Sequence, residues 1–163
     1  MFPPIALLLA ALLWPSAAFA TCTDPAAPGV EWRRCTLDRL EAPGVDLTGA
    51  VLRDTSLNRA NLAGARMAGV NGFGARFVSA DLSGADLSAA ALLGADLTRA
   101  NLSGAILADA DLRRARFFHA DLRGANLAGA QLDGADFNGA QLEGARWTDG
   151  QRVCRPGSVG ACR

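Results

Sequence analysis

The stretch that decides the fold runs from Ala80 to Gly104 and reads ADLSG ADLSA AALLG ADLTR ANLSG. Alanine recurs at every fifth position from Ala75 to Ala145, and two positions after each alanine comes Leu, Phe or, at the end, Trp147. A helix turns by ~140° over five residues, so it would spread these leucines around its whole surface. A continuous strand would point successive leucines to opposite faces. Each unit is therefore a short extended piece followed by a bend.

Glycine marks the bend. It stands two positions after many of the central leucines, as at Gly84, Gly94 and Gly104. Glycine adopts the positive φ angles that tight turns often require. A chain that bends after every five residues, and keeps Ala and Leu inward, predicts an all-β solenoid whose coils bury one another's apolar faces.

Units such as Ala80–Gly84 and Ala100–Gly104 resemble those of the pentapeptide-repeat family. The resemblance implies a right-handed quadrilateral β-helix with four units in each coil. It extends over residues 35–149 in unbroken frame, about 23 pentapeptide units or close to six coils. Most units have a large apolar residue at the centre, but one has Ala42 and another has Gly72. We expect a bulge or small cavity at Gly72, with Phe73 either turned inward or pointing out.

The N-terminus has the pattern of a secretory signal peptide over residues 1–20. An apolar run extends from Ile5 to Leu13, and Ala18 and Ala20 fit a small-x-small cleavage site. The run is short for a membrane span. One feature departs from the signal-peptide pattern, since no Lys or Arg precedes the run. An uncleaved membrane anchor is therefore the alternative. The pattern predicts export to the bacterial periplasm or the extracellular space, with no membrane association after cleavage.

Four cysteines flank the repeat, at Cys22, Cys35, Cys154 and Cys162. Three pairings are possible, and we favour the local one, Cys22–Cys35 and Cys154–Cys162. The ends of six coils would lie roughly 25 Å apart, too far for a disulfide or a shared zinc ion. We therefore expect an N-terminal cap over residues 21–34 and a disulfide-closed tail over residues 150–163. Such caps limit end-to-end association, and a homo-oligomer stays open as an alternative.

Some outward positions depart from the polar pattern of the repeat. They combine apolar and basic residues that we predict to form a partner-binding surface: Phe73, Leu93, Arg113, Arg114, Phe118 and Arg123. Aromatic and arginine side chains supply much of the binding energy at protein interfaces. The alternative is a set of scattered apolar side chains, with Phe73 folded over Gly72.

The residue content argues against catalysis. The one histidine, His119, lies among arginines that would repel a metal ion, and neither a phosphate-binding loop nor a nucleophile elbow occurs. We predict no enzyme activity, no metal and no cofactor.

The charge balance restricts the partners. The 16 basic residues, all arginine, equal the 16 acidic ones, whereas nucleic-acid-binding proteins are usually basic. We predict an exported, non-catalytic structural or protein-interaction module, with an unknown protein partner and no nucleic acid. The resemblance also implies an alternative, a DNA-mimicking topoisomerase-binding protein. The missing negative charge and the predicted export disfavour that alternative.

Overall fold

The computed structural model describes residues 22–163. The predicted signal peptide, residues 1–20, lies outside the described residues. Within residues 22–163 the chain forms neither helices nor strands of several residues. Instead, parallel single-residue bridges join positions twenty apart, from the Glu31–Val51 bridge to the Asn126–Arg146 bridge. The result is a β-helix in which each coil of twenty residues has four faces.

The bridges form four ladders, one on each face, and we number the faces in chain order. The first face carries Glu31, Val51, Asn71, Ala91, Asp111 and Gln131. The second carries Thr36, Ser56, Arg76, Asp96, Arg116 and Asp136. The third carries Glu41, Asn61, Asp81, Asn101, Asp121 and Gln141, and the fourth carries Asp46, Arg66, Asp86, Ile106, Asn126 and Arg146. Two-residue turns form the corners between faces.

The backbone hydrogen bonds explain why the repeat favours Asp or Asn after each alanine. In the unit Ala80–Gly84, the amide of Ala80 closes the preceding turn at 3.0 Å. The amide of Asp81 bonds to the coil before, and those of Leu82 and Gly84 bond to the coil after, at 2.7–2.9 Å. Only the amide of Ser83 remains, and it donates to Asp81 Oδ1 at 2.9 Å. The Asp or Asn side chain thus satisfies the one amide that the ladders leave unpaired.

The core consists of the alanine and leucine columns. Phe77 and Phe117 are fully buried among them, and the rings of Phe117 and Phe137 stack at 4.8 Å between centroids. Small alanines and larger Leu or Phe side chains alternate along the inward face, so the coils pack closely against one another.

The expected bulge at Gly72 is wrong. The turn pattern continues through this unit unchanged, and the amide of Gly72 bonds to the Ala91 carbonyl at 2.8 Å. A Cβ at position 72 would lie only 2.7 Å from Leu92 Cδ2. The side chain of Leu92 therefore reaches into the space that a leucine at position 72 would take, and Phe73 points outward.

The first coil of the β-helix begins earlier in the sequence than expected. Glu31 already joins the first ladder, although it lies within the predicted cap of residues 21–34. Trp32 takes an inward central position and is 2% exposed, and its Nε1 donates to the Asp24 carbonyl at 3.1 Å. The β-helix begins this early because Val30 and Trp32 take the two inward apolar positions that alanine and leucine take in later units. Cys22 and Cys35 form a disulfide of 2.05 Å.

The C-terminal tail turns back against the last coil. Val153 and Val159 form antiparallel bridges with Arg146 and Gln141, and Cys154 bonds to Cys162 at 2.07 Å. Both disulfides are the local pairs expected from the sequence. The tail pairs with the third and fourth faces of this end, whereas within residues 22–163 the amides of Leu132 and Phe137, on the first and second faces, lack a backbone acceptor.

Candidate partner-binding surface

The residues predicted to bind a partner lie on three different corners of the β-helix. We call the corner between the first and second faces the first corner, that between the second and third faces the second corner, and that between the third and fourth faces the third corner. The first corner brings together Phe73, Leu93, Arg113 and Arg114, whereas Phe118 lies on the second corner and Arg123 on the third. Ten residues correspond to half a coil, so Arg123 lies on the opposite side from Arg113. The structure therefore supports grouping the first four only.

On the first corner, four successive coils place Arg53, Phe73, Leu93 and Arg113 in one column. Phe73 is 41% exposed, and Leu93, one coil later in the same column, is half-buried. The guanidinium carbon of Arg53 lies 5.1 Å from the centroid of the Phe73 ring, within range of a cation–π interaction. We call Phe73 and Leu93 the apolar ridge. Arg53 was missed at the sequence level, although its spacing of one coil from Phe73 could have shown it.

A hollow of about 410 Å³ lies beside the ridge, lined by Leu93, Arg113, Arg114 and Asp133. Arg113 donates two hydrogen bonds to Asp111, from Nε to Oδ1 at 2.8 Å and from Nη2 to Oδ2 at 2.7 Å. These bonds lower the pKa of Asp111 and raise the pKa of Arg113. The guanidinium is therefore held in a fixed position at the edge of the hollow.

The remaining predicted residues have local partners. Arg123 binds Asp121 through Nε at 2.9 Å and Nη2 at 2.5 Å, which lowers the pKa of Asp121. Phe118 is half-buried and meets the ring of His119 edge-on at 4.2 Å. Each step of five residues moves the chain to the next corner, so nearness in sequence does not place these residues on one surface.

Sequence reasoning also missed an exposed apolar residue on the fourth face. Ile106 is 40% exposed, almost the same fraction as Phe73. Its neighbours in the ladder are Asp86 and Asn126, so it lacks the apolar and basic neighbours of the ridge.

Two further features bear on function. Among residues 22–163, no group of three or more His, Cys, Asp or Glu side chains is placed to hold a metal ion. The same residues contain no helix with the length and hydropathy to cross a membrane.

A four-faced β-helix of five-residue units with this hydrogen-bond pattern defines the class of pentapeptide-repeat proteins. The family profile for pentapeptide repeats matches residues 52–88, 80–117 and 110–146, with eight copies. The chain belongs to the pentapeptide-repeat family, as its resemblance implied. Solved members of this family form right-handed quadrilateral β-helices, the fold class expected from the sequence.

Solved structures show the same relationship. QnrB1, a plasmid-mediated fluoroquinolone resistance protein, is 25% identical over 74% of this chain in its trypsin-treated R167E form, with a TM-score of 0.59. The chain spans 61% of the length of that structure. HetL, involved in heterocyst differentiation regulation in the cyanobacterium Nostoc sp. strain PCC 7120, is 36% identical, with 76% of this chain and 70% of HetL covered and a TM-score of 0.33. A search of curated protein sequences gives no match.

Proposed function

We propose that this chain is an exported, non-catalytic protein-interaction module that binds an unidentified protein through its first corner. The observation that carries the proposal is the apolar ridge, an exposed Phe73 next to Leu93, with Arg53 and Arg113 at its two ends. Apolar and arginine side chains in one cluster are typical of the residues that dominate binding energy at interfaces. Family membership supports the same class, because pentapeptide-repeat proteins are generally structural or interaction modules.

The rigidity of the β-helix supports recognition by its outer surface. Ladder hydrogen bonds fix each corner to the coils before and after it, and Arg113 is further held by Asp111. A surface that is ordered before binding loses little conformational entropy when a partner docks. The ridge and its hollow are therefore suited to bind a folded partner without rearrangement.

DNA mimicry is the less favoured alternative. A mimic of duplex DNA needs a continuous acidic surface, because the phosphate backbone dominates DNA recognition. In this chain, arginines interrupt the outer surface, among them Arg76 and Arg116 on the second face, and the formal net charge is zero.

Substitution of the ridge tests the proposal. The double variant Phe73→Ser with Leu93→Ser should reduce recovery of the crosslinked partner from native cells by about tenfold or more, because it removes the central apolar contacts. Ile106→Ser is the matched control, since Ile106 is equally exposed on another face. It should leave recovery unchanged. Equal recovery with both proteins would refute the ridge as the binding surface.

Export has its own test. We propose that residues 1–20 are removed as a signal peptide, which leaves residues 21–34, the repeat to residue 149 and the tail of residues 150–163. Mass spectrometry of the protein from fractionated cells should find a mature chain that starts at Thr21, outside the cytoplasm. An intact chain in the cytosol would contradict export without affecting the ridge.

A further inference from the structure

The second corner has a backbone feature that the third corner lacks. Five successive coils place a residue other than glycine in the left-handed conformation there: Arg39, Arg59, Ser79, Arg99 and His119, with φ of 63°, 59°, 57°, 57° and 55°. On the third corner the equivalent positions are all glycine: Gly44, Gly64, Gly84, Gly104, Gly124 and Gly144. Left-handed φ is unfavourable for a residue with a Cβ, so the second corner retains side chains at a cost in stability.

Three of these side chains are arginines without a carboxylate partner. Within residues 22–163, Arg39, Arg59 and Arg99 take part in neither salt bridges nor side-chain hydrogen bonds, and all three are exposed. In contrast, Arg113 and Arg123 each grip a neighbouring aspartate. The second corner thus presents cations that are free to bind an external anion.

These arginines line a groove of about 730 Å³ along the second corner. Its wall consists of Asp38, Arg39, Asn58, Arg59, Arg76, Val78, Ser79, Asp96 and Arg99. The two acidic groups are already occupied. Asp38 accepts hydrogen bonds from the Ser56 hydroxyl at 2.5 Å and from the backbone N–H of Asn58 at 2.9 Å. Asp96 forms a salt bridge with Arg116 at 3.7 Å. Four arginines against two engaged aspartates leave the groove basic.

We propose that this groove binds an extended acidic segment of a partner protein, with carboxylates on Arg39, Arg59 and Arg99. The site is separate from the apolar ridge and does not depend on it. Arginine suits this ligand because its planar guanidinium binds a carboxylate through two parallel hydrogen bonds.

The length of the groove matches such a segment, and the long arginine side chains accommodate the uneven spacing, which is one coil from Arg39 to Arg59 and two coils from Arg59 to Arg99. Arg39 and Arg99 lie three coils apart, about 14 Å at roughly 4.8 Å per coil. An extended peptide with acidic residues at three alternate positions spans about 13.5 Å on one side. At the middle of the groove, the half-buried Val78 and the hydroxyl of Ser79 lie between the cations.

The groove is less suited to single-stranded nucleic acid. Proteins that bind single strands combine basic residues with exposed aromatic side chains on which the bases stack. No aromatic side chain lines this groove. The four arginines complement carboxylates, and the nearest aromatic rings on this corner, those of Phe118 and His119, lie one coil beyond Arg99 and outside the groove.

Binding of a designed peptide to the full mature chain tests the proposal. The probe is a fluorescent peptide with glutamate at three alternate positions, and its control has glutamine at the same positions. Fluorescence anisotropy at low and physiological salt should show binding of the glutamate peptide only. A dissociation constant weaker than about 1 mM at low salt would overturn the proposal.

Variants locate the site and separate binding from folding. Replacing Arg39, Arg59 and Arg99 by glycine should weaken peptide binding by about tenfold or more, because three charge contacts are lost. The same variant should melt at an equal or higher temperature, because glycine relieves the left-handed backbone.

The control variant removes three arginines from other places, by Arg34→Gln, Arg155→Gln and Arg163→Gln. At physiological salt it should bind the peptide within about twofold of the unchanged chain, since screened charges away from the groove contribute little. Equal loss in both variants would show non-specific attraction and overturn the site. Tighter binding of a single-stranded oligonucleotide with the same number of charges would overturn the acidic segment as its ligand.

Discussion

At the scale of single residues, the neighbourhood of Gly72 shows how the core adapts to a departure from the repeat. The leucine missing at this position is replaced by the side chain of Leu92 from the next coil, which approaches the glycine closely. The outer turn is unaffected, and Phe73 stays at the surface. The side chain of Leu92 thus occupies part of the volume that a leucine at position 72 would take.

This arrangement predicts an unequal cost for two identical substitutions. Leu92→Ala should lower the free energy of unfolding towards the upper end of the ~2–5 kcal/mol range, because its cavity adds to the space above Gly72. Leu102→Ala, in a regular coil and equally buried, should fall lower in that range. Urea unfolding monitored by circular dichroism measures both. A smaller loss for Leu92→Ala would mean that Leu92 does not fill the space.

Two threonines offer a second matched pair. The buried hydroxyl of Thr55 donates to the Trp32 carbonyl, whereas the buried hydroxyl of Thr98 lacks a partner among residues 22–163. Thr55→Val should therefore cost ~0.5–1.5 kcal/mol of unfolding free energy, and Thr98→Val should be neutral or stabilising. Thermal melts of both variants provide the comparison, and a greater loss for Thr98→Val would contradict the assigned hydrogen bonds.

At the scale of the five-residue unit, the aspartate or asparagine after alanine has a defined structural role. Its side chain accepts the amide two residues on, as at Asp86 with Ser88 and Asn126 with Ala128. The frequent acidic residues of the repeat therefore need no catalytic explanation. In Asp111 and Asp121 the same carboxylate also binds an arginine on the turn, at Arg113 and Arg123.

The lowered pKa values of these two aspartates predict the effect of acid. Arginine hydrogen bonds hold the pKa of Asp111 and Asp121 below the ordinary value of 3.8 in the folded chain. Their contribution to stability is therefore fully present above that value and is lost as the pH falls through the lowered folded pKa.

Urea unfolding at about pH 6 and about pH 2.5 should show this loss. The double variant Asp111→Asn with Asp121→Asn should be less stable at the higher pH and lose less on acidification. The same pH dependence in both proteins would show that these pairs do not contribute.

The sequence predicts the fold far better than the candidate site, for reasons that particular residues show. Five-residue spacing places Ala80 and Leu82 inward whatever their neighbours, so the β-helix follows from the pattern. Grouping Arg123 with Arg113 failed, because nearness along the chain is not nearness on a coil. The fit of Leu92 over Gly72 depends on a side-chain orientation that the pattern does not encode.

At the scale of the whole molecule, the two ends of the β-helix differ in how completely they are covered. The N-terminal end is closed by the buried Trp32 and the Cys22–Cys35 bond. At the C-terminal end, Leu132 and Phe137 stay half-buried, and within residues 22–163 their amides lack the acceptors found in earlier coils. A homo-oligomer stays a prediction, and this half-covered end is where it would be expected to form.

The central claim is that recognition lies in the departures from the repeat, at the apolar ridge. Its most direct test is photocrosslinking in native cells, with a photoreactive residue at position 73 in one chain and at position 106 in another. The two positions have nearly equal exposure, 41% and 40%, on different sides of the rod. A discrete crosslinked partner is expected from position 73 and none from position 106. The same products from both positions, or a partner from position 106 alone, would contradict recognition at the apolar ridge.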